Sequence, residues 1–207
     1  MKMTLVVLIL ALFSPAAQAK VRGAADTEVN AGLQLGLNIA NANTTPSLAT
    51  DPRIGLMIGG NVEVRLSQYL FIRPEMMYVQ KGASLSATGI DTTLKFDYLE
   101  FPLLLKARFG SEEFRPVLFA GPNFGFRVNS SLDTKIGAAT PSSFTTNAES
   151  MDIAIDFGGG AEYWFRKNTA AMLTMRYSVG LTNVINLAGQ TWRSTGLQIV
   201  SGVEFGF

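Results

Sequence analysis

The final stretch, Arg193-Ser-Thr-Gly-Leu-Gln-Ile-Val-Ser-Gly-Val-Glu-Phe-Gly-Phe207, has two chemically different sides. Counting back from Phe207, every second residue (Phe205, Val203, Ser201, Ile199, Leu197) is uncharged and mostly apolar. Glu204, Gln198, Val200 and two glycines fill the other side. A period of two is the signature of a β-strand with one apolar face. Seven earlier stretches repeat it. The alternation predicts strands over 28–41, 53–66, 70–84, 93–109, 114–128, 151–165, 169–181 and 193–207. One face of each carries no charge, apart from Lys95 and Asp97, which share parity with Leu99. That part of the fourth strand is expected to project above an apolar belt or to contain a bulge.

The connections alternate in length. Ser67–Tyr69, Gly110–Glu113 and Arg166–Asn168 are tight, whereas 42–52, 85–92, 129–150 and 182–192 are longer. Short turns at one end and long loops at the other, joined by apolar-out strands, form the pattern of an outer-membrane barrel. Aromatic residues at the strand ends add two girdles: Phe109, Phe114, Trp164, Phe165, Phe205 and Phe207 toward the turns, and Tyr78, Phe96, Tyr98, Phe124 and Phe126 toward the loops. Trp164 shares parity with Glu162 and is expected to turn inward. The longest connection is rich in Ser, Thr and Ala and is expected to be mobile.

The first residues carry a single charge, Lys2, then the apolar run Leu5–Phe13 and the small-residue site Ala17-Gln18-Ala19. This is the pattern of a cleavable signal peptide, and it falls short of the about 20 apolar residues of a spanning helix. The expected fold is therefore all-β: an eight-stranded antiparallel up-and-down transmembrane β-barrel (residues 20–207) preceded by a signal peptide (residues 1–19). Its address is the Gram-negative outer membrane, with both termini periplasmic. The outward residues of the closing strand, Val203, Phe205 and Phe207, are the expected assembly signal for the barrel-assembly machinery.

The other faces are charged. Glu63, Arg65, Arg73, Glu75, Lys81, Glu100, Lys106, Arg108, Arg115, Arg127, Asp152, Asp156, Glu162, Arg176 and Glu204 all have inward parity. An eight-stranded barrel is just wide enough for side chains to fill, so these groups are expected to pair into a plug. A narrow ion path along the same groups is the alternative. Catalysis by Glu75, Glu100 or Glu162 ranks last, because every carboxylate has a basic neighbour within reach and the chain has no His to serve as the usual general base. The chain has no Cys, and its net charge of +1 gives no basis for nucleic-acid binding. No cofactor or metal is expected, and the partners are outer-membrane lipid and the assembly machinery around a monomer. A lipocalin-type soluble barrel, with the apolar face lining a cavity, is disfavoured by the loop alternation and the girdles. Gly158-Gly159-Gly160 lies mid-strand with no helix after it, so it reads as close backbone approach rather than a phosphate loop. Prolines 74, 102, 116 and 122 fall within strands and are expected at bulges.

Three segments, Arg73-Pro-Glu-Met-Met-Tyr-Val-Gln-Lys-Gly82, Tyr98-Leu-Glu-Phe-Pro-Leu-Leu-Leu-Lys106 and Phe119-Ala-Gly-Pro-Asn-Phe-Gly-Phe126, resemble the PorT-like outer-membrane β-barrel ("porin family") proteins. The resemblance spans nearly the whole mature chain. It implies an eight-stranded barrel and an outer-membrane address, and offers no catalytic residues. PorT is linked to protein secretion; an accessory secretion role is an extension that family membership alone does not carry. The expected function is non-enzymatic: a structural, anchoring or loop-mediated binding role for a small barrel with a charge-plugged lumen, with a narrow porin-like channel as the alternative.

Overall fold

The computed structural model describes residues 28–45, 51–87, 90–110, 113–136, 142–144, 149–183 and 191–207. Residues 1–19, expected to be a signal peptide, lie outside the described residues.

Eight long strands form the wall: β1 (Val29–Thr45), β2 (Asp51–Arg65), β3 (Leu70–Ala87), β4 (Ile90–Arg108), β5 (Phe114–Ile136), β7 (Met151–Arg166), β8 (Thr169–Gly180) and β9 (Thr191–Gly206). A three-residue strand, β6 (Ser142–Phe144), pairs with the far end of β5. Each long strand pairs antiparallel with its neighbours in sequence, and β1 pairs with β9 from Asn30↔Gly206 to Thr45↔Thr191, so the sheet closes on itself. Closure gives each of the eight long strands two neighbours, which lipid requires because no water is available there to bond a free N–H or C=O.

The orientation follows the chemistry. Leu35, Ile58, Leu103, Leu118, Leu173 and Ile199 all face outward. Glu100, Lys106, Asp156 and Glu204 are buried in the interior. Aromatics ring the outer surface at the turn end (Tyr69, Phe109, Phe114, Tyr163, Phe165, Phe205) and toward the loop end (Phe101, Phe126, Phe157, Tyr177). Two of these loop-end pairs touch, Phe101 with Phe126 at 5.9 Å between ring centroids and Phe157 with Tyr177 at 5.8 Å. Phe96 and Tyr98 do not join the girdle expected of them. They share the parity of Glu100 and lie buried inside the barrel.

Three further expectations need correction. First, the connection 85–92 is almost entirely strand, since β3 runs to Ala87 and β4 starts at Ile90; β5 likewise continues to Ile136 through the start of the longest connection. Antiparallel pairing continues past the apolar belt, where the sequence no longer alternates apolar with polar residues. Second, Pro74, Pro102, Pro116 and Pro122 sit at unbroken register, and the register shifts fall elsewhere. Pro74, Pro116 and Pro122 point outward, so each removes one ladder donor without adding a residue to the strand. Third, the bulge beside Lys95 and Asp97 lies on the partner strand: Asp97 opposes Asn129 and Tyr98 opposes Arg127, leaving Val128 as the extra residue of β5. Lys95 and Asp97 face outward, loopward of Phe101 and Phe126. Lys95 bonds Asp133 at 2.5 Å and Asp97 accepts from Asn129 at 3.2 Å.

Backbone geometry demands glycine at two kinds of place. Gly110 opens the β4–β5 turn with φ +81°, where an L side chain is strained. Gly160 lies where β7 and β8 approach closely: a Cβ there would stand 2.1 Å from the Leu173 carbonyl oxygen. Gly160→Ala should therefore lower unfolding stability by about 1–3 kcal/mol, the usual cost of overpacking. Gly125→Ala, whose Cβ would meet the Tyr98 ring at 3.3 Å, should cost much less. Urea unfolding of the two variants in lipid checks the difference. Equal midpoints would contradict the close approach.

Candidate functional site: the lumen network

Inward parity brings β2, β3, β4, β7, β8 and β9 to a common axis, and their charged side chains meet there. At the turn end, Arg108 donates to Glu28 at 2.9 Å and to Glu63 at 2.6 Å, and its Nε stands 2.9 Å from Glu162. Lys106 lies between Glu63 and Glu162 and bonds both. Trp164, inward as its parity required, donates its indole N–H to Glu162 at 3.0 Å.

Arg73 is the junction to the next layer. It reaches Glu63 at 2.9 Å, Glu75 at 2.8 Å and Glu204 at 3.2 Å. Glu204 also accepts from the Asn61 amide at 3.1 Å. Arg176 continues upward, to Glu75 at 2.7 Å and Asp156 at 3.5 Å. The Asn123 amide then bridges Asp156 (3.0 Å) to Glu100 (2.8 Å). At the loop end Lys81 joins Glu100 (2.6 Å) to Asp152 (3.1 Å), which also accepts from Ser194 (2.6 Å) and Thr182 (3.1 Å). The chain of contacts runs from one end of the barrel to the other.

Of the fifteen residues assigned to this network by parity, twelve are buried and three stand apart. Arg65 is 40 % exposed and pairs with Glu28 on the turn-side rim. Arg115 is half-buried against the Trp164 ring at 4.7 Å. Arg127 is half-buried at the loop end, donating to the Glu149 carbonyl at 3.1 Å. Arg65 and Arg115 lie at strand ends, and Arg127 lies one residue past the last β5–β7 pair, Phe126↔Met151, so inward parity no longer means enclosure. Their removal changes the charge balance. Seven carboxylates (Glu63, Glu75, Glu100, Asp152, Asp156, Glu162, Glu204) share the enclosed lumen with five cations (Arg73, Lys81, Lys106, Arg108, Arg176).

Charge alone missed part of the set. Asn61 and Asn123 supply amide donors where carboxylates outnumber cations, and Glu28 anchors Arg108 at the rim. Inward parity could have identified both amides. The interior also holds an apolar cluster, Met57, Met77, Val79, Met172 and Val200, which packs beside Arg73.

Chemically this arrangement is a mesh of paired acids and bases. Glu75, Glu100 and Glu162 each meet at least one cation, so none is presented as a free base. Among the described residues no group of acids could hold a metal ion. Val203, Phe205 and Phe207, expected as an assembly signal, all point outward at the turn end.

The barrel is similar in fold to two solved structures. Neisserial surface protein A is 14 % identical, with 89 % of this chain and 99 % of that chain covered and a TM-score of 0.50. OprG from Pseudomonas aeruginosa is 10 % identical, covering 87 % of this chain and 95 % of that chain, with a TM-score of 0.50. At such identities the likeness concerns the fold alone. No curated protein matches the chain. The outer membrane protein beta-barrel domain family matches residues 16–186, most of the sequence. With a closed eight-stranded barrel, an apolar outer belt and a charged interior already established, the chain belongs to that family of outer-membrane barrels.

Proposed function

We propose that the protein is a monomeric, non-enzymatic barrel that is closed to solutes and works through its rims, as an anchor or a loop-side binding surface. The observation that carries this reading is the burial of the lumen charges. Glu63, Lys106, Asp156, Glu162 and Glu204 have no exposed surface at all. A water-sized sphere cannot touch these groups, so no water-wide path runs past them. Ion pairs in mutual contact along the axis take the place that water fills in wider barrels.

The same reading includes delivery by a cleaved signal peptide, recognition of Val203, Phe205 and Phe207 by the assembly machinery, and both termini on the periplasmic side. Within the family, the three segments around Glu75, Glu100 and Gly121 support a PorT-like placement. Planar-bilayer recording on the purified protein tests the closed lumen. The expected result is a flat baseline at high salt. Reproducible conductance steps from the wild-type chain would replace this reading with a narrow channel.

A further inference from the structure

The loop-side ends of β3, β4 and β5 stand clear of the wall as a flap. β2 leaves β1 after Ala40↔Arg53, and β5 leaves β7 after Phe126↔Met151. Above those points β3 stays paired with β4 up to Ala87↔Ile90, and β4 with β5 up to Ile90↔Ile136. The end of β2 joins the flap through Asp51↔Ser84 and Pro52↔Ala83, and the short β6 pairs with the far side of β5. Three irregularities cross the base of the flap. Between β2 and β3 the register shifts, with four residues of β2 (53–56) against three of β3 (80–82). Between β4 and β5 it shifts at Asp97/Tyr98, where Val128 is the extra residue. Gln80 opposes Asp97 directly, so both shifts lie at one level. Gly82, two residues further on, has φ +147°, a backbone that glycine alone adopts freely, and a Cβ there would collide with the Leu94 carbonyl oxygen.

Side chains stand in for the ladder in the gap between β2 and β3. Asn38 reaches across from β1 to donate to the Gln80 carbonyl at 2.9 Å. The Leu56 N–H donates to the Gln80 side chain at 3.2 Å, and Arg53 donates to the Lys81 carbonyl. A sheet bends most easily where its ladder is interrupted. Just below, Lys81 is tied to Glu100 and Asp152. Across the mouth, β1 and β9 rise in unbroken register to Thr45↔Thr191. β4 and β9 are not neighbours in the ring, so the cluster of Leu94, Phe96 and Tyr98 with Trp192 spans the mouth. We infer that the flap is a hinged lid. It swings about the line through Gln80, Gly82, Asp97 and Val128, a few positions that absorb the backbone change. The cluster around Trp192 latches it over the loop-side mouth. Opening uncovers the buried apolar side chains Leu94, Phe96 and Trp192, while the ion pairs beneath stay made. The lid goes beyond the closed-barrel reading and fails separately from it: conductance tests the lumen, distances across the mouth test the lid.

The chain has no Cys, so nitroxide labels can be placed in pairs without background. Arg193→Cys marks the fixed side of the mouth. Lys95→Cys, opposite Gly82, marks the hinge line, and Asp91→Cys, opposite Ser86, marks the lid above it. At about 3.3 Å per residue the Asp91 backbone stands roughly 13 Å above that of Lys95, so a tilt of about 25° carries it about 6 Å. Pulsed electron paramagnetic resonance in lipid nanodiscs reads the 91–193 and 95–193 distances. Trp192→Ala and Leu94→Ala should each lengthen the first by about that displacement and leave the second unchanged. Amides 91–95 should keep their protection from hydrogen exchange in both variants, because the lid moves as an intact sheet. With the latch residues unaltered, the 91–193 distribution should already be the wider of the two. An unchanged 91–193 distance in the variants, equal lengthening of both distances, or loss of amide protection along with the lengthening would each overturn the hinge, the last because it marks fraying. Equal widths of the two distributions would overturn it as well, and that comparison needs no change at the latch, so variants that fail to fold do not protect the idea.

Discussion

Arg73→Met should lower the unfolding free energy in lipid by about 3–5 kcal/mol, the cost of removing one partner from a buried ion pair. Arg73 touches Glu63, Glu75 and Glu204 at once, joining the turn-end cluster to the middle one. Methionine fills similar volume, so the loss is electrostatic rather than a cavity. It also leaves four cations against the seven enclosed carboxylates. Glu204→Gln is the matched control. It removes one of the surplus acids and keeps a group able to bond the Asn61 amide. Its cost should be under about 1 kcal/mol, the range of one ordinary hydrogen bond. Urea titrations followed by tryptophan fluorescence measure both. If the two variants unfold at the same midpoint, the lumen is not organised around Arg73.

Leu118→Arg is expected to cost about 2–4 kcal/mol, the penalty for an arginine facing lipid near the bilayer midplane. Leu118 lies on β5 between Pro116 and Ala120, well inside the outer apolar belt, and is 58 % exposed to the surroundings. A soluble barrel would accept a charge at so exposed a position almost without effect. The contrast is Lys95→Leu. Lys95 also faces outward, but it stands loopward of the Phe101–Phe126 pair and holds only a surface ion pair with Asp133. Surface pairs contribute about 0–1 kcal/mol, so this change should be nearly silent. Folding yield into vesicles, read as the heat-modifiable band on a gel, and the unfolding midpoint check both. A well-tolerated Leu118→Arg would mean that this face does not meet hydrocarbon.

The eight strands were legible because a membrane imposes a strict rule on each alternate residue, and β1, β2 and β8 obey it without exception in the belt. Legibility ended where the rule ended. Past the belt the pairs Leu85↔Thr92 and Ala87↔Ile90 continue the sheet with no alternating contrast to mark it. The prolines misled because their consequence depends on facing: Pro116 and Pro122 turn outward at unbroken register, whereas the bulged residue is the unremarkable Val128.

In the lumen, parity identified the twelve enclosed charges but not their depth. Arg65, Arg115 and Arg127 share the same parity but lie at or past the ends of the paired wall, Arg127 just beyond the last β5–β7 pair. Depth depends on how the strands are staggered around the ring, which no single strand encodes. Phe96 and Tyr98 show the reverse error: being aromatic near a strand end suggested a girdle, but their parity placed them inside. The cluster they form with Trp192 joins β4 to β9, residues nearly a hundred positions apart, so nothing local announces it.

The seam between β1 and β9 has a consequence for how the molecule is made. The strand nearest the start of the described chain must wait for the last one, and Glu204, carried by that last strand, completes the carboxylates around Arg73 on β3. An unfinished cylinder would leave Arg73 without its third carboxylate as well as two raw edges in lipid. Productive closure is therefore a late, concerted event set by long-range search, and such topologies fold slowly. A factor that held the nascent sheet until the ends met would have to shield a lengthwise gap in the wall, and would become dispensable once the sheet was a ring.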